Sequence, residues 1–134
     1  MNQFTATVKK IERVDNLYLV SFMLGNQTIK MLSLELNELL QVGSIVKLNV
    51  KSTNIALAKN FIGIISYANQ LNAKVVAVNN GTLLSSIGLD VEGFALESLI
   101  TLEASLEMKL FVGDNVVVLL KGSEVSVLDI MNGS

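Results

Sequence analysis

The 134-residue chain contains no His and no Cys. That removes imidazole and thiolate as nucleophile, base or ligand. With them go Ser–His and Cys–His catalysis, Cys/His metal sites and disulfides. Ser, Lys, Asp and Glu remain. Composition alone leaves a Ser–Lys dyad open, but no strand–turn–helix nucleophile motif accompanies one. Glu103 and Glu107 stand four apart, and a solvated helix face accounts for the pair. The five Met residues are not clustered and read as packing material. No Asp/Asn-rich loop suited to calcium is present. The five Phe and two Tyr fall mostly in apolar strand runs rather than on a basic groove, which argues against nucleic acid. The residues thus point to a protein that is not an enzyme and has no bound metal.

The elements that must carry these residues are apolar. Hydrophobic residues make up 51% and charged residues 16% of the chain. A chain this short buries a limited share of its surface, so part of that apolar content is expected between subunits of a homo-oligomer. The net charge of −2 is unevenly spread: residues 1–66 carry seven bases and four acids, residues 67–134 three bases and eight acids. Long charge-free runs such as Asn60–Ala73 and Val75–Leu89 are interrupted by Asn, Ser and Thr and fall short of a membrane span. The start, MNQFTATVKKIERV, has no apolar signal core, so the cytoplasm is the expected compartment.

The chain repeats itself. Moved forward by 67 positions, Asn2, Gln3, Ala6 and Val8 fall on Asn69, Gln70, Ala73 and Val75. Further along the offset becomes 70, and Gly43–Lys51 falls on Gly113–Lys121. The second copy is therefore longer by about three residues in its middle. The expected domains are 1–64 and 65–134, joined near Phe61–Ser66 without a flexible linker.

Within each copy Thr5–Val14, Tyr18–Leu24 and Thr28–Leu32 read as strands, with turns at Asp15-Asn16 and Gly25-Asn26. The second copy offers Asn80-Gly81 as a two-residue hairpin turn, followed by Leu83–Ile87 and Phe94–Thr101. The period then becomes helical: Leu32, Leu36 and Leu39/Leu40 in one copy, Leu102, Leu106 and Leu110 in the other. A Gly and two further strands follow, Ile45–Val50 with Ile55–Ala58, and Val116–Leu120 with Glu124–Leu128. The fold class is all-β: two tandem OB-like five-stranded β-barrels, each with one short helix between strands three and four.

At this point the residues resemble a known family. Ser66-Tyr-Ala-Asn-Gln-Leu, Ile100-Thr101, Leu110-Phe-Val-Gly113-Asp-Asn-Val and Leu120-Lys121-Gly-Ser123 follow the order of the Mop/TOBE domain of bacterial molybdate-binding (molybdenum-pterin-binding) proteins. The first copy is similar at Asn2-Gln3-Phe4 and at Val50–Lys59. Two copies with nothing before them look like a di-Mop storage protein. No G-x-x-x-x-G-K-[ST] phosphate loop accompanies them.

The resemblance implies binding of molybdate or tungstate at subunit interfaces, in a trimer, with a possible link to a molybdate ABC transporter. Such a dianion needs its hydration shell replaced by N–H groups, hydroxyls and cations. Lys51, Ser52 and Thr53, and Lys121, Gly122 and Ser123, offer these at matching points of the two copies. Gly122 adds close backbone approach. Ser66, Asn69 and Thr101 are second choices. The chain departs from the family pattern where an Arg precedes the first strand, since Met1 and Ala68 stand there. It departs again at the Thr-x-x-Ser step, where Ala104 takes the place of Ser. The function implied is storage, buffering or homeostasis of the oxyanion. The alternative is an OB-like interaction or regulatory module that has lost anion binding.

Overall fold

The computed structural model describes residues 2–131. Ten strands and one α-helix follow in order: β1 (Asn2–Val14), β2 (Leu17–Leu24), β3 (Gln27–Ser33), β4 (Ile45–Val50), β5 (Ala56–Ala58), β6 (Asn69–Asn80), β7 (Leu84–Val91), β8 (Phe94–Thr101), α1 (Leu102–Met108), β9 (Asn115–Leu120) and β10 (Ser126–Ile130). Two single 3-10 turns, Ser52–Asn54 and Gly122–Glu124, follow β4 and β9.

The alternation read from the sequence positions the core. Along β1, Phe4, Ala6 and Val8 point inward, and along β6 Leu71, Ala73 and Val75 do the same. Phe22, Leu24, Ile29 and Leu48 are fully buried, as are Ile87, Leu89 and Leu120. Burial of such a side chain contributes about 1.5–3 kcal/mol. The buried residues of both copies form one continuous cluster.

The strands make two five-stranded antiparallel sheets, in the orders β10-β4-β1-β2-β3 and β5-β9-β6-β7-β8. Each copy gives its last strand to the other. After β4 the chain turns at 52–54, buries Ile55 and pairs β5 with β9, Ala56 opposite Leu119. After β9 it repeats the move, burying Val125 and pairing β10 with β4, Ser126 opposite Asn49. The two pairings are in equivalent register under the 70-residue offset. The sheets therefore do not close over 1–64 and 65–134 taken separately. Lys59 fixes the end of the first crossing: its Nζ lies 3.0 Å from Asp114 Oδ2 and donates to the Lys109 carbonyl at 2.6 Å.

Backbone hydrogen bonds follow the repeat closely. Gly43 N–H donates to the Val8 carbonyl at 2.8 Å, and Gly113 N–H to the Val75 carbonyl at 2.8 Å. Gln41 N–H is taken by Ser44 Oγ, and Phe111 N–H by Asp114 Oδ2. Both long first strands carry a bulge at matching places, between Val8 and Lys10 and between Val75 and Ala77.

The copies differ at the helix. In the second copy Thr101 caps α1, its Oγ1 accepting from Ala104 N–H at 3.1 Å, and Lys109 closes it at φ 50°. In the first copy the stretch with Leu36 and Leu39/Leu40 runs as turns, not as the expected helix. It lacks the three extra residues, nearly a full turn. Ser33 and Asn37 also bind the backbone two residues on, at Glu35 and Leu39. Such contacts compete with helix formation. The Asn80-Gly81 turn also differs from expectation. Asn80 stays in β6 opposite Ser85, and Gly81 N–H donates to the Leu84 carbonyl, giving a longer loop. Asn80 is held in the strand because its Oδ1 accepts from both Ser85 and Ser105. Glu124 belongs to the second 3-10 turn rather than to the last strand.

Candidate functional site

The two Lys-led stretches fold alike. Lys51 leads its turn at φ −72°, ψ 139°, and Lys121 at φ −76°, ψ 143°. In each the Lys carbonyl accepts the N–H three residues on, from Asn54 at 2.9 Å and from Glu124 at 3.0 Å. Both ammonium-bearing residues are exposed, as are Thr53 and Ser123, while Ser52 is half-buried and Gly122 is buried.

Strand exchange sets what each turn faces. The 52–54 turn packs on β8 and the 122–124 turn on β3, so each lies against the third strand of the other copy. Gly122 lies against β3, with room for a Cβ at ordinary contact distance. A Cβ there would stand 3.4 Å from Leu32 N and 3.6 Å from the Lys30 carbonyl oxygen. Ser123 and Val125 also line an open groove of about 770 Å³ beside the helix-free segment of the first copy, together with Leu36 and Leu40.

Two asparagines tie these third strands down. Asn69 Oδ1 accepts from Lys30 N–H at 2.6 Å, and its Nδ2 donates to the Lys30 carbonyl at 2.9 Å. Asn2 treats Glu97 the same way, accepting from its N–H at 2.7 Å and donating to its carbonyl at 2.8 Å. Both asparagines are buried. Each bridge satisfies backbone groups on the outer edge of a sheet, because β3 and β8 are terminal strands. Asn69, expected as a ligand residue, thus has both ends of its amide engaged within the subunit.

At the first turn a carboxylate is already present. Ser52 Oγ donates to Glu97 Oε1 at 3.2 Å, and Ser86 Oγ to Oε2 at 2.7 Å. These two hydroxyls, Ser86 first, hold the Glu97 carboxyl below its ordinary pKa. At the second turn the matching residue is Lys30. Of the remaining expected residues, Ser66 is exposed in the connection between copies, beside exposed Ala68. Thr101 is exposed and caps α1, and the hydroxyl one place beyond Ala104, Ser105, turns inward to Asn80 at 2.9 Å. Met1 lies outside the described residues. Among the described residues no group of three or more His, Cys, Asp or Glu could hold a metal ion.

Residues 65–127 match the TOBE domain model. The chain belongs to the TOBE domain family through this second copy. Its fold is similar to that of the cytoplasmic molybdate-binding protein ModG, solved with molybdate bound, at 25% identity and a TM-score of 0.87 over 94% of each chain. A molybdate-binding protein from Sporomusa ovata is 34% identical over 50% of this chain and all (100%) of its own, with a TM-score of 0.48. No curated protein matches the sequence. No helix among the described residues is long and apolar enough to cross a membrane.

The TOBE match includes Asn69 and the second turn, while Lys30, which both face on β3, lies outside it. Sequence reasoning passed over Asn2, Lys30, Ser86 and Glu97. One signal for two of them was in view: under the 67-residue offset, Lys30 falls on Glu97, a reversal of charge at one repeat position.

Proposed function

We propose that this TOBE protein is a non-catalytic, cytoplasmic binder of molybdate, with tungstate as an equivalent ligand. The second turn is the proposed binding element, with Lys121, the Gly122 amide and Ser123; Lys51, Ser52 and Thr53 form its counterpart in the first copy. Their identical backbone course against the exchanged neighbour's third strand carries this reading. An exposed ammonium, a hydroxyl and free amides converge there on one strand end, which suits a tetrahedral dianion. The likeness to ModG over nearly the whole chain supports the ligand assignment. Domains 1–64 and 65–134 are the proposed repeat units, each completed by the other's last strand. Assembly as a homotrimer would bury exposed apolar side chains such as Leu34, Leu39, Val42 and Phe111. It would also bring Ser66 and Thr101 of neighbouring subunits toward the anion. Storage or buffering is the proposed purpose, with supply from a molybdate transporter.

Calorimetric titration with molybdate and tungstate, with sulfate as control, tests the reading. Saturable binding of the first two is expected, and Lys121→Ala is expected to lower both affinity and stoichiometry. Absence of heat with every anion at two temperatures would overturn it. It would favour instead an interaction module, a reading to which exposed Ala68 at the family's Arg position lends its weight.

A further inference from the structure

We infer that the two turns are not equivalent: the Glu97 carboxylate occupies the first as an internal anion, and only the second is open to an oxyanion from solution. The inference rests on the molybdate-binding reading above and deepens it. An incoming dianion at the first turn needs the Ser52 hydroxyl as a donor. That hydroxyl already donates to Glu97 Oε1 at 3.2 Å. The carboxylate is braced from its other oxygen by Ser86 Oγ at 2.7 Å. Its backbone is clamped by Asn2 at 2.7 and 2.8 Å, and Asn2 Nδ2 also reaches Ser52 Oγ at 3.3 Å. Four residues thus form one connected network around the position. The Glu97 carboxylate places a negative charge at the first turn, and a like charge within a few ångströms weakens an anion's hold by roughly tenfold or more.

At the second turn the hydroxyls and the carboxylate are replaced. Gly122 stands where Ser52 does, Lys30 where Glu97 does, and Leu19 where Ser86 does. The Asn bridge is kept, so the strand is held in the same place while the group it presents changes sign. Glu124 ends this turn, but among the described residues it makes no hydrogen bond to Ser123 or to the Gly122 amide.

Titration of the full chain with molybdate decides the matter. In the wild type, Lys51→Ala is expected to leave stoichiometry unchanged while Lys121→Ala lowers it. Glu97→Gln keeps the shape and the Ser86 contact but removes the charge, and Glu97→Ala empties the position. Each is expected to add one anion per chain, and adding Lys51→Ala to either is expected to abolish the gain. Thermal melting of each variant confirms folding. Equal losses from Lys51→Ala and Lys121→Ala in the wild type would overturn the inference and leave the binding reading intact. So would unchanged stoichiometry in both Glu97 variants. A wild type that binds nothing while Glu97→Gln binds molybdate would overturn the functional reading and the open second turn together, leaving only the occupancy of the first turn by Glu97.

Discussion

Replacing Asn69 with Ala strands two backbone groups at once. Asn69 is 1% exposed, and its amide meets the Lys30 N–H and carbonyl at 2.6 and 2.9 Å. Each buried polar group left without a partner costs about 1–3 kcal/mol. Because β3 is an edge strand, some water will reach the pair, so the lower half of the summed range applies: about 2–4 kcal/mol for Asn69→Ala. Against a typical total stability of roughly 5–15 kcal/mol, that is a large loss. Urea unfolding at fixed protein concentration should show it as a lower midpoint with an unchanged slope. Asn69→Asp supplies a finer test. Its carboxylate can still accept from Lys30 N–H, but its second oxygen would face the Lys30 carbonyl. Only the protonated acid donates there, so the folded-state pKa of that carboxyl should rise above its ordinary value of about 3.9. A raised pKa means stabilisation that is present at low pH and lost as pH rises through the folded value. The gap between Asn69→Asp and wild type should therefore be narrow near pH 4 and widen toward pH 7 (roughly one unit of pKa shift per 1.4 kcal/mol). A cost for Asn69→Ala below about 0.5 kcal/mol, the level of an ordinary surface change, would refute the bridge as a source of stability.

Two further outcomes follow from the same structure. Residues 1–64 expressed alone lack β10, the strand that covers the free edge of β4. Because the two crossings are in equivalent register, that fragment should exchange β5 between copies and elute as a dimer in size-exclusion chromatography, and a folded monomer would contradict this. Asp114 is held below its ordinary pKa by the Phe111 N–H first and Lys59 second. Its contribution is present above the unfolded carboxylate value and lost as pH falls through the folded one, so Asp114→Asn should flatten the acid limb of a stability-against-pH curve. An unchanged acid limb would show that the Lys59 clip is not coupled to folding.

Most of the strand framework was legible because strand alternation has a short period and the repeat gives each reading twice. Ile45–Val50 and Phe94–Thr101 were read to the residue. The exchange of β5 and β10 was not legible, since equivalent strands such as Ala56–Ala58 and Ser126–Ile130 suit either partner and only the path of the connecting turn decides. The first-copy helix failed for a local reason: Leu spacing carried the expectation, while Ser33 and Asn37 offered the backbone closer partners. At the candidate site the two turns were found as sequence twins. What separates them lies some 45 residues away on another strand, at Glu97, and no spacing rule reaches that far.

The tips of the β2–β3 and β7–β8 hairpins meet. Asn26 N–H donates to Glu92 Oε1 at 2.6 Å, and a Cβ on Gly25 would stand 2.7 Å from that same oxygen. Gly25 and Glu92 are the same position of the repeat. Matching residues that touch must lie beside the local dyad relating the copies. On such an axis identical chains are forced to place like against like: two glutamates would repel, and two glycines would leave the amide without an acceptor. Joining the copies in one polypeptide lifts that constraint. One copy can become the donor and the other the acceptor, a division of roles that a symmetric dimer of identical units cannot make.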